Sequence, residues 1–190
     1  MLVGFHGYGE DAAAQLDRMR AIPGAERWLL VSIQGLHRFY DRRSNAVVAS
    51  WMTRQDRELA IADNLAFVAA VIDEAAREWS SCERLVFTGF SQGVAMAFRA
   101  AVSSPRRVDG VIAAGGDVPP EIAPDALQRV TSAVLCRGAH DAYYTAEKFA
   151  DDARRLRNVG TVVRAVEFDG GHEWSADVMQ AASEFLQEQR

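Results

Sequence analysis

The chain has 190 residues, a formal net charge of −5 and 49% hydrophobic side chains, which is typical of a globular protein with one sizeable core. The acidic balance argues against nucleic acid as a partner, because binding its backbone requires clustered Lys and Arg. No apolar stretch reaches the roughly 18 residues of a membrane span. Residues 1–7 lack the basic segment of a signal peptide, so we expect a cytoplasmic protein.

Short apolar runs alternate along the chain with longer Ala-rich segments that carry helical spacing. Strands are predicted at 2–5, 28–33, 85–90, 108–114, 133–136 and 162–168. Helices are predicted at about 11–22, 59–79, 92–103, 145–158 and 175–189. This alternation predicts an α/β fold with a mainly parallel sheet and helices on both faces, and we expect one domain over residues 1–190.

Two segments interrupt this pattern and are predicted to be irregular. Residues 34–53 form a long polar and aromatic stretch after the second strand, and residues 115–124 are rich in Gly and Pro. Both leave the carboxyl ends of predicted strands, where open parallel sheets bind ligands.

The strongest local motif is Gly89-Phe90-Ser91-Gln92-Gly93, which joins an apolar strand to a helix. This G-x-S-x-G pattern is typical of a strained turn that exposes a nucleophilic serine above the sheet. Glycine is needed two residues before and after the serine, because side chains there would collide. We expect Ser91 to be the nucleophile.

A serine hydroxyl needs a base, and four histidines are candidates. His172 follows the last predicted strand, at the same edge of the sheet as Ser91, and is the expected base. His6 is expected to support a turn after the first strand, His37 to lie in the long loop, and His140 to be a neighbour of the acid.

Three aspartates could orient the histidine. Asp141 follows a predicted strand and gives the chain order serine, acid, histidine that is typical of one large hydrolase fold. Asp117 follows the preceding strand and could also reach a histidine, whereas Asp169 is better placed to cap a local turn. We favour Asp141.

Acyl transfer also needs hydrogen-bond donors for the oxyanion. The backbone N–H of Gln92, directly after the nucleophile, is one expected donor. The glycines flanking Tyr8 in His6-Gly7-Tyr8-Gly9 let backbone approach a ligand, so the N–H of Tyr8 is the expected second donor.

Taken in order, these motifs resemble the phospholipase/carboxylesterase family of α/β-hydrolases, which includes the acyl-protein thioesterases. The resemblance spans nearly the whole chain, and Gly-Phe-Ser-Gln-Gly is more specific to this family than G-x-S-x-G in general. It implies a Ser91, His172 and Asp141 triad, oxyanion donors at Tyr8 and Gln92, and no cofactor or metal. Cys82 and Cys136 lack metal-ligand spacing and are expected to be reduced thiols.

The chain also departs from the family pattern. It begins at the strand leading to His6, so the antiparallel strands that usually precede it are expected to be missing. About six parallel strands should remain, with 28–33 at one edge and 162–168 at the other. Without a cap domain the site should be open, bounded by five aromatic residues that are the candidate substrate contacts: Phe39, Tyr40, Trp51, Tyr143 and Trp174.

The expected activity is a serine carboxylesterase acting on small acyl or aryl esters. An acyl-protein thioesterase or lysophospholipase-like hydrolase remains an alternative, because the same residues cleave related bonds. A non-catalytic ligand-binding module on the same scaffold is a third hypothesis. The expected partner is a small-molecule ester, and an exposed edge strand could support a homodimer.

Overall fold

A six-stranded parallel sheet organises the computed structural model, which describes residues 1–79 and 83–189. The strand order is β2-β1-β5-β6-β7-β8, and every neighbouring pair is parallel. The strands are β1 (Leu2–Phe5), β2 (Leu30–Ile33), β5 (Val86–Phe90), β6 (Gly110–Ala114), β7 (Ser132–Gly138) and β8 (Val162–Phe168). The predicted α/β class and both predicted edge strands are confirmed.

Helices cover both faces of the sheet because successive strand residues point to opposite sides. One apolar cluster joins strand residues such as Val3 and Phe87 to the helices on one face, and the other joins Leu2 and Val86 to the helices on the opposite face. The first face carries α2 (Arg57–Glu78), α3 (Gln92–Ser103) and α5 (Ala146–Asn158); the second carries α1 (Ala12–Arg20) and α6 (Ala176–Glu188). A short helix, α4 (Pro124–Leu127), follows the Gly- and Pro-rich segment.

Helix starts follow ordinary capping chemistry at three of these helices. The side chains of Asp11, Thr145 and Ser175 accept hydrogen bonds from backbone N–H groups at the starts of α1, α5 and α6. Helix α3 has no such cap: the residue at its start is Ser91, whose side chain accepts no hydrogen bond from the first turn. The hydroxyl group of Ser91 is therefore not used to cap helix α3.

The long segment after β2 is more ordered than the sequence suggested. It forms an antiparallel hairpin of β3 (His37–Tyr40) and β4 (Val47–Ser50), separate from the main sheet. Gly9 N–H donates to the carbonyl of Ala49 at 2.9 Å, and Ala49 N–H donates to the carbonyl of Glu10 at 2.8 Å. The hairpin is thus attached to the loop that follows β1.

Within the described part of the chain, no cap domain is inserted between the strands, and no helix is long and apolar enough to cross a membrane. Cys136 lies in the core on β7, where burial raises the pKa of its thiol to about 12. Cys82 lies outside the described residues.

Candidate active site

Ser91 occupies a strained turn between β5 and α3. Its backbone has φ 52° and ψ −120°, a left-handed conformation that is rare for any residue but glycine. Its N–H donates to the carbonyl of Ala114 on β6 at 2.9 Å, which ties the turn to the sheet. A methyl group on Gly93 would lie 2.0 Å from the carbonyl oxygen of Phe5, so the turn also packs tightly on β1. The hydroxyl is therefore held above the carboxyl ends of the central strands.

The three predicted triad residues lie in hydrogen-bonding distance of one another. His172 Nε2 is 2.9 Å from Ser91 Oγ, and His172 Nδ1 is 2.8 Å from Asp141 Oδ2. Asp141 Oδ1 accepts from the N–H groups of Tyr143 at 2.8 Å and Tyr144 at 3.0 Å. Both carboxylate oxygens are thus occupied, which fixes the orientation of the carboxylate toward the imidazole.

The environment of Asp141 keeps it ionised. Its side chain is 0% exposed, and this burial alone would raise its pKa. The hydrogen bonds from Tyr144 N–H, from the ring of His172 and from Tyr143 N–H outweigh burial, so the pKa of Asp141 is lowered. A buried carboxylate favours the tautomer that carries the proton on Nδ1, which leaves Nε2 of His172 free to accept a proton from Ser91.

The alternative acids do not contact the imidazole of His172. Asp117 has a half-exposed side chain 3.8 Å from the ammonium group of Lys148. Asp169 has a 98% exposed side chain that lies 3.2 Å from Nε2 of His140. Both are surface carboxylates with cationic or histidine neighbours of their own.

His6 is a structural residue below the site. It is fully buried; its Nδ1 is 2.7 Å from the carbonyl oxygen of Gly7, and its Nε2 accepts from Gly35 N–H at 3.0 Å. Burial lowers the pKa of His6, despite the opposing effect of the hydrogen bond to Gly7. With both ring nitrogens satisfied, neutral His6 fixes the start of the loop after β1.

The two expected oxyanion donors, Tyr8 and Gln92, lie on separate segments that line the same cavity. The N–H groups of Tyr8 and Gln92 form no hydrogen bond to residues 1–79 or 83–189, so both are available to a ligand. The side chain of Gln92 is held apart from this task, because its Oε1 accepts from Trp51 N–H at 3.0 Å and contacts Ser50 Oγ.

A brace that the sequence did not reveal holds the loop carrying Tyr8. Oε2 of Glu10 accepts from Gly7 N–H at 2.8 Å, and both of its oxygens accept from Arg18 of α1, at 2.6 Å and 2.5 Å. Burial would raise the pKa of Glu10, but the bonds and charge from Arg18 outweigh it, so the pKa is lowered. The guanidinium carbon of Arg18 lies 4.3 Å from the ring centroid of Phe90, whose centroid is 5.1 Å from that of His172. The Arg18 side chain thus contacts both Glu10, which holds the loop that carries Tyr8, and Phe90, which packs against His172.

A second buried group supports the loop that carries Asp141. Asp152 Oδ2 accepts from Val118 N–H at 2.9 Å and from the hydroxyl of Tyr144 at 3.1 Å, while Arg155 lies 3.4 Å from its other oxygen. Burial raises the pKa of Asp152 to about 6, against the effect of these hydrogen bonds. The same Tyr144 donates its N–H to Asp141. Asp152 is therefore connected to Asp141 through Tyr144.

Two glycines that the sequence analysis did not assign to the site, Gly115 and Gly116, allow the loop after β6 to lie close to Ser91 and His172. Gly115 has φ 65°, and a methyl group on it would lie 3.2 Å from the ring of His172. A methyl group on Gly116 would lie 2.3 Å from the carbonyl oxygen of Ser91. A double glycine directly after a buried strand was the available signal, because such a pair permits close backbone approach.

The five aromatic residues expected to bound the site have different positions. Trp51 is 1% exposed and its Nε1 donates to the carbonyl of His6 at 2.8 Å, so the expectation that it lines the pocket is wrong. Its apolar ring is buried against Phe5 at a centroid distance of 5.5 Å. Tyr40 is 68% exposed and does not line the adjacent cavity.

The other three aromatic residues lie beside the site. The Tyr143 ring is edge-on to His172 at 5.0 Å between centroids. Trp174 packs edge-on against Phe90, at 6.4 Å between centroids. Phe39 contacts the ring of Tyr8 at 5.5 Å and lines a cavity next to the oxyanion donors.

That cavity has a volume of about 720 Å³ and is open to solvent. It lies between the β3–β4 hairpin, the segment leading into α2, and the two oxyanion residues. Its lining consists of Tyr8, His37, Arg38, Phe39, Ser50, Met52, Thr53, Arg54, Arg57 and Gln92. Among the described residues, no three His, Cys, Asp or Glu side chains are grouped as metal ligands.

Comparison with known proteins agrees with this architecture. Residues 1–189 match the model of the phospholipase/carboxylesterase family. A search of curated proteins finds no match. The sequence-based resemblance is therefore confirmed by the family match, over nearly the full chain.

Solved structures with the same fold have low sequence identity to the chain. A carboxylesterase from Mesorhizobium loti has a TM-score of 0.79 at 20% identity, covering 98% of this chain and 87% of its own. A Bacillus cereus carboxylesterase has a TM-score of 0.78 at 17% identity, covering 100% and 88%. Acyl-protein thioesterase 2 from Zea mays has a TM-score of 0.75 at 18% identity, covering 99% and 92%. With the fold shared and the family model matched over residues 1–189, the chain belongs to the phospholipase/carboxylesterase family of α/β-hydrolases.

Proposed function

We propose that this protein is a serine carboxylesterase that hydrolyses small acyl or aryl esters through an acyl-enzyme intermediate. The observation that carries the proposal is the pair of short distances by which His172 joins Ser91 Oγ, at 2.9 Å, to Asp141 Oδ2, at 2.8 Å. A hydroxyl becomes an effective nucleophile when an imidazole accepts its proton and a carboxylate fixes the tautomer of that imidazole.

In the acylation step, Ser91 Oγ attacks the carbonyl carbon of the ester while its proton passes to Nε2 of His172. The electron pair of the carbonyl bond moves onto oxygen, and the N–H groups of Tyr8 and Gln92 donate to that oxyanion. When the intermediate collapses, the bond to the alcohol oxygen breaks, and this oxygen takes the proton from His172. The acyl group remains on Ser91 as an ester.

In the deacylation step, water gives a proton to Nε2 of His172 and attacks the acyl carbon. A second oxyanion forms at the same donors, then the bond to Ser91 Oγ breaks and that oxygen recovers the proton. Asp141 stays ionised and stabilises the imidazolium in both steps. Every proton in this scheme moves among the chain, the ester and water, so the scheme calls for no cofactor.

The proposal is tested with 4-nitrophenyl acetate and butyrate. We expect Ser91→Ala to lower kcat/KM by about a thousandfold or more. Ser103→Ala is the matched control, because this serine lies at the far end of α3 and donates to a backbone carbonyl there. Equal turnover by the wild type and Ser91→Ala would overturn the proposal.

A fluorophosphonate probe separates a hydrolase from a binding module on the same scaffold. Only a serine activated by a base reacts with such a probe, so we expect labelling of wild type and none of Ser91→Ala. A paired assay with butyrate as an oxygen ester and as a thioester addresses the thioesterase alternative. Turnover of the thioester alone would assign the protein to thioester cleavage instead.

A further inference from the structure

The cavity beside the oxyanion donors is positively charged, although the chain as a whole carries a net charge of −5. Three of its lining residues are arginines, Arg38, Arg54 and Arg57, and none is acidic. The nearby acids Asp56 and Glu58 do not line it. A concave surface with one sign of charge concentrates ligands of the opposite sign.

Two of these guanidinium groups have no side-chain partner among the residues that the structure describes. Arg38 and Arg54 form no ion pair or side-chain hydrogen bond with residues 1–79 or 83–189. Arg57 donates to Glu121 at 3.2 Å, but Arg99 donates to the same carboxylate at 2.5 Å. One carboxylate thus faces two guanidinium groups, and the cavity wall keeps its positive charge.

Guanidinium groups bind carboxylates through parallel hydrogen bonds, and the apolar contacts needed for an acyl chain come from Phe39 and Met52.

The position of the cavity identifies the part of the substrate that enters it. The leaving alcohol must lie toward His172, because that residue protonates it. The cavity meets the site at Tyr8 and Gln92, and neither His172 nor Asp141 lines it. A group that extends from the carbonyl into this cavity is therefore the acyl chain.

We propose that this cavity binds a carboxylate at the end of the acyl chain, so that monoesters of dicarboxylic acids are the preferred substrates. Arg38 and Arg54 hold the carboxylate, and Arg57 adds to the local positive potential. The inference rests on the proposed esterase function and adds the substrate class to it.

The test compares 4-nitrophenyl hydrogen adipate with 4-nitrophenyl methyl adipate, which differ only in whether the far end of the acyl chain is charged. We expect wild-type kcat/KM to be at least about tenfold higher for the charged ester. Arg38→Gln and Arg54→Gln should each reduce this ratio by about fivefold, mainly through KM, as loss of one partly exposed charge contact predicts. Added salt should reduce the ratio as well.

Arg20→Gln is the matched control, because it removes one positive charge at the far end of α1, where Arg20 pairs with Asp17 at 3.5 Å. A wild-type ratio near one, or an equal reduction by Arg20→Gln and Arg54→Gln, would overturn the inference. If the methyl ester is hydrolysed in a Ser91-dependent manner while the ratio is near one, only the inference about the acyl chain fails.

Binding measured without turnover keeps the inference testable if no ester is hydrolysed. Calorimetric titration of Ser91→Ala with monomethyl adipate should give a measurable Kd, and dimethyl adipate should bind more weakly. Adding Arg54→Gln should weaken the binding of the monomethyl compound. Equal affinity for both compounds would contradict carboxylate recognition.

Discussion

A methyl group on Gly89 would lie 2.5 Å from the carbonyl oxygen of Gly93, so the two glycines of the serine turn are in direct backbone contact. We expect Gly89→Ala to lower the free energy of unfolding by about 1–3 kcal/mol and to reduce esterase activity, because the turn must shift to relieve the overlap. Chemical denaturation measures the first effect. Gly171→Ala is the control, since a methyl group there meets nothing within 4 Å. Equal stability losses in the two variants would contradict this explanation.

Asp141 and Asp117 provide a matched pair of charge-removing substitutions near the site. We expect Asp141→Asn to lower kcat by about a thousandfold or more, because the amide cannot hold His172 in the reactive tautomer. Asp117→Asn should stay within about twofold of wild type, since this half-exposed carboxylate faces Lys148 at 3.8 Å. Steady-state kinetics on 4-nitrophenyl butyrate measures both. A greater loss in Asp117→Asn would transfer the role of the acid to that residue.

Glu10 links the oxyanion loop to α1, and its charge is needed for that link. Glu10→Gln still offers an acceptor to Gly7 N–H but loses the charged bonds to Arg18, so we expect kcat to fall about tenfold with a smaller change in KM. Stability should also fall, by about 2 kcal/mol at neutral pH. Glu26→Gln, on an exposed side chain, is the control.

The lowered pKa of Glu10 also gives this effect a pH dependence. The folded state binds the proton less readily than the unfolded state, whose ordinary carboxyl value is 4.5. The stabilisation is thus present above pH 4.5 and is lost as the pH falls below it. Denaturation curves for wild type and Glu10→Gln should therefore converge in acid, and a constant difference at all pH values would contradict the assignment.

Asp152 is expected to show the opposite pH dependence. Burial raises its pKa from 3.8 to about 6, so the folded state holds the proton more tightly than the unfolded state. The stability it contributes is present below pH 3.8 and is lost as the pH rises through about 6. Asp152→Asn should match wild type near pH 4 and exceed it at pH 7 by up to about 3 kcal/mol. Asp151→Asn, on the same helix but partly exposed, is the control for removing one charge.

The parts of the fold that could be predicted from the sequence are those with strong periodicity. Helix α3 begins at Gln92 and ends at Ser103 as predicted, because the glycine-serine turn marks its start and its apolar face is continuous. Strand β8 also has the predicted ends, Val162 and Phe168. The parallel order then brings the segments after β5, β7 and β8 to one edge of the sheet, which is why Ser91, Asp141 and His172 could be proposed together.

The β3–β4 hairpin was missed because its strands are short and only partly buried. The residues His37–Tyr40 alternate between half-buried and exposed side chains, which gives a weak signal in a polar segment. The signal that was available lies in the turn, where Asp41 Oδ1 accepts from Ser44 N–H at 2.8 Å in a typical aspartate turn.

Trp51 was expected to line the pocket, but it is buried in the core. An aromatic residue at the end of an apparent loop could do either, and the sequence does not distinguish the two.

The Glu10–Arg18 brace lay beyond sequence reasoning because it depends on how α1 packs against the loop. Eight positions separate the residues, and nothing in their spacing requires contact. Opposite charges are common on neighbouring elements, so only the three-dimensional path of the loop makes this pair specific.

The hairpin bonds to the oxyanion loop through Ala49, yet it forms no part of the six-stranded sheet. Arg38 and Phe39, on its first strand, also form part of the cavity wall. If the cavity binds the acyl chain as proposed, substitutions on the hairpin would change the range of accepted acyl chains without repacking the strands that position Ser91, Asp141 and His172. We therefore expect relatives with divergent hairpins to share the hydrolytic chemistry and to differ in the acyl chains that they accept.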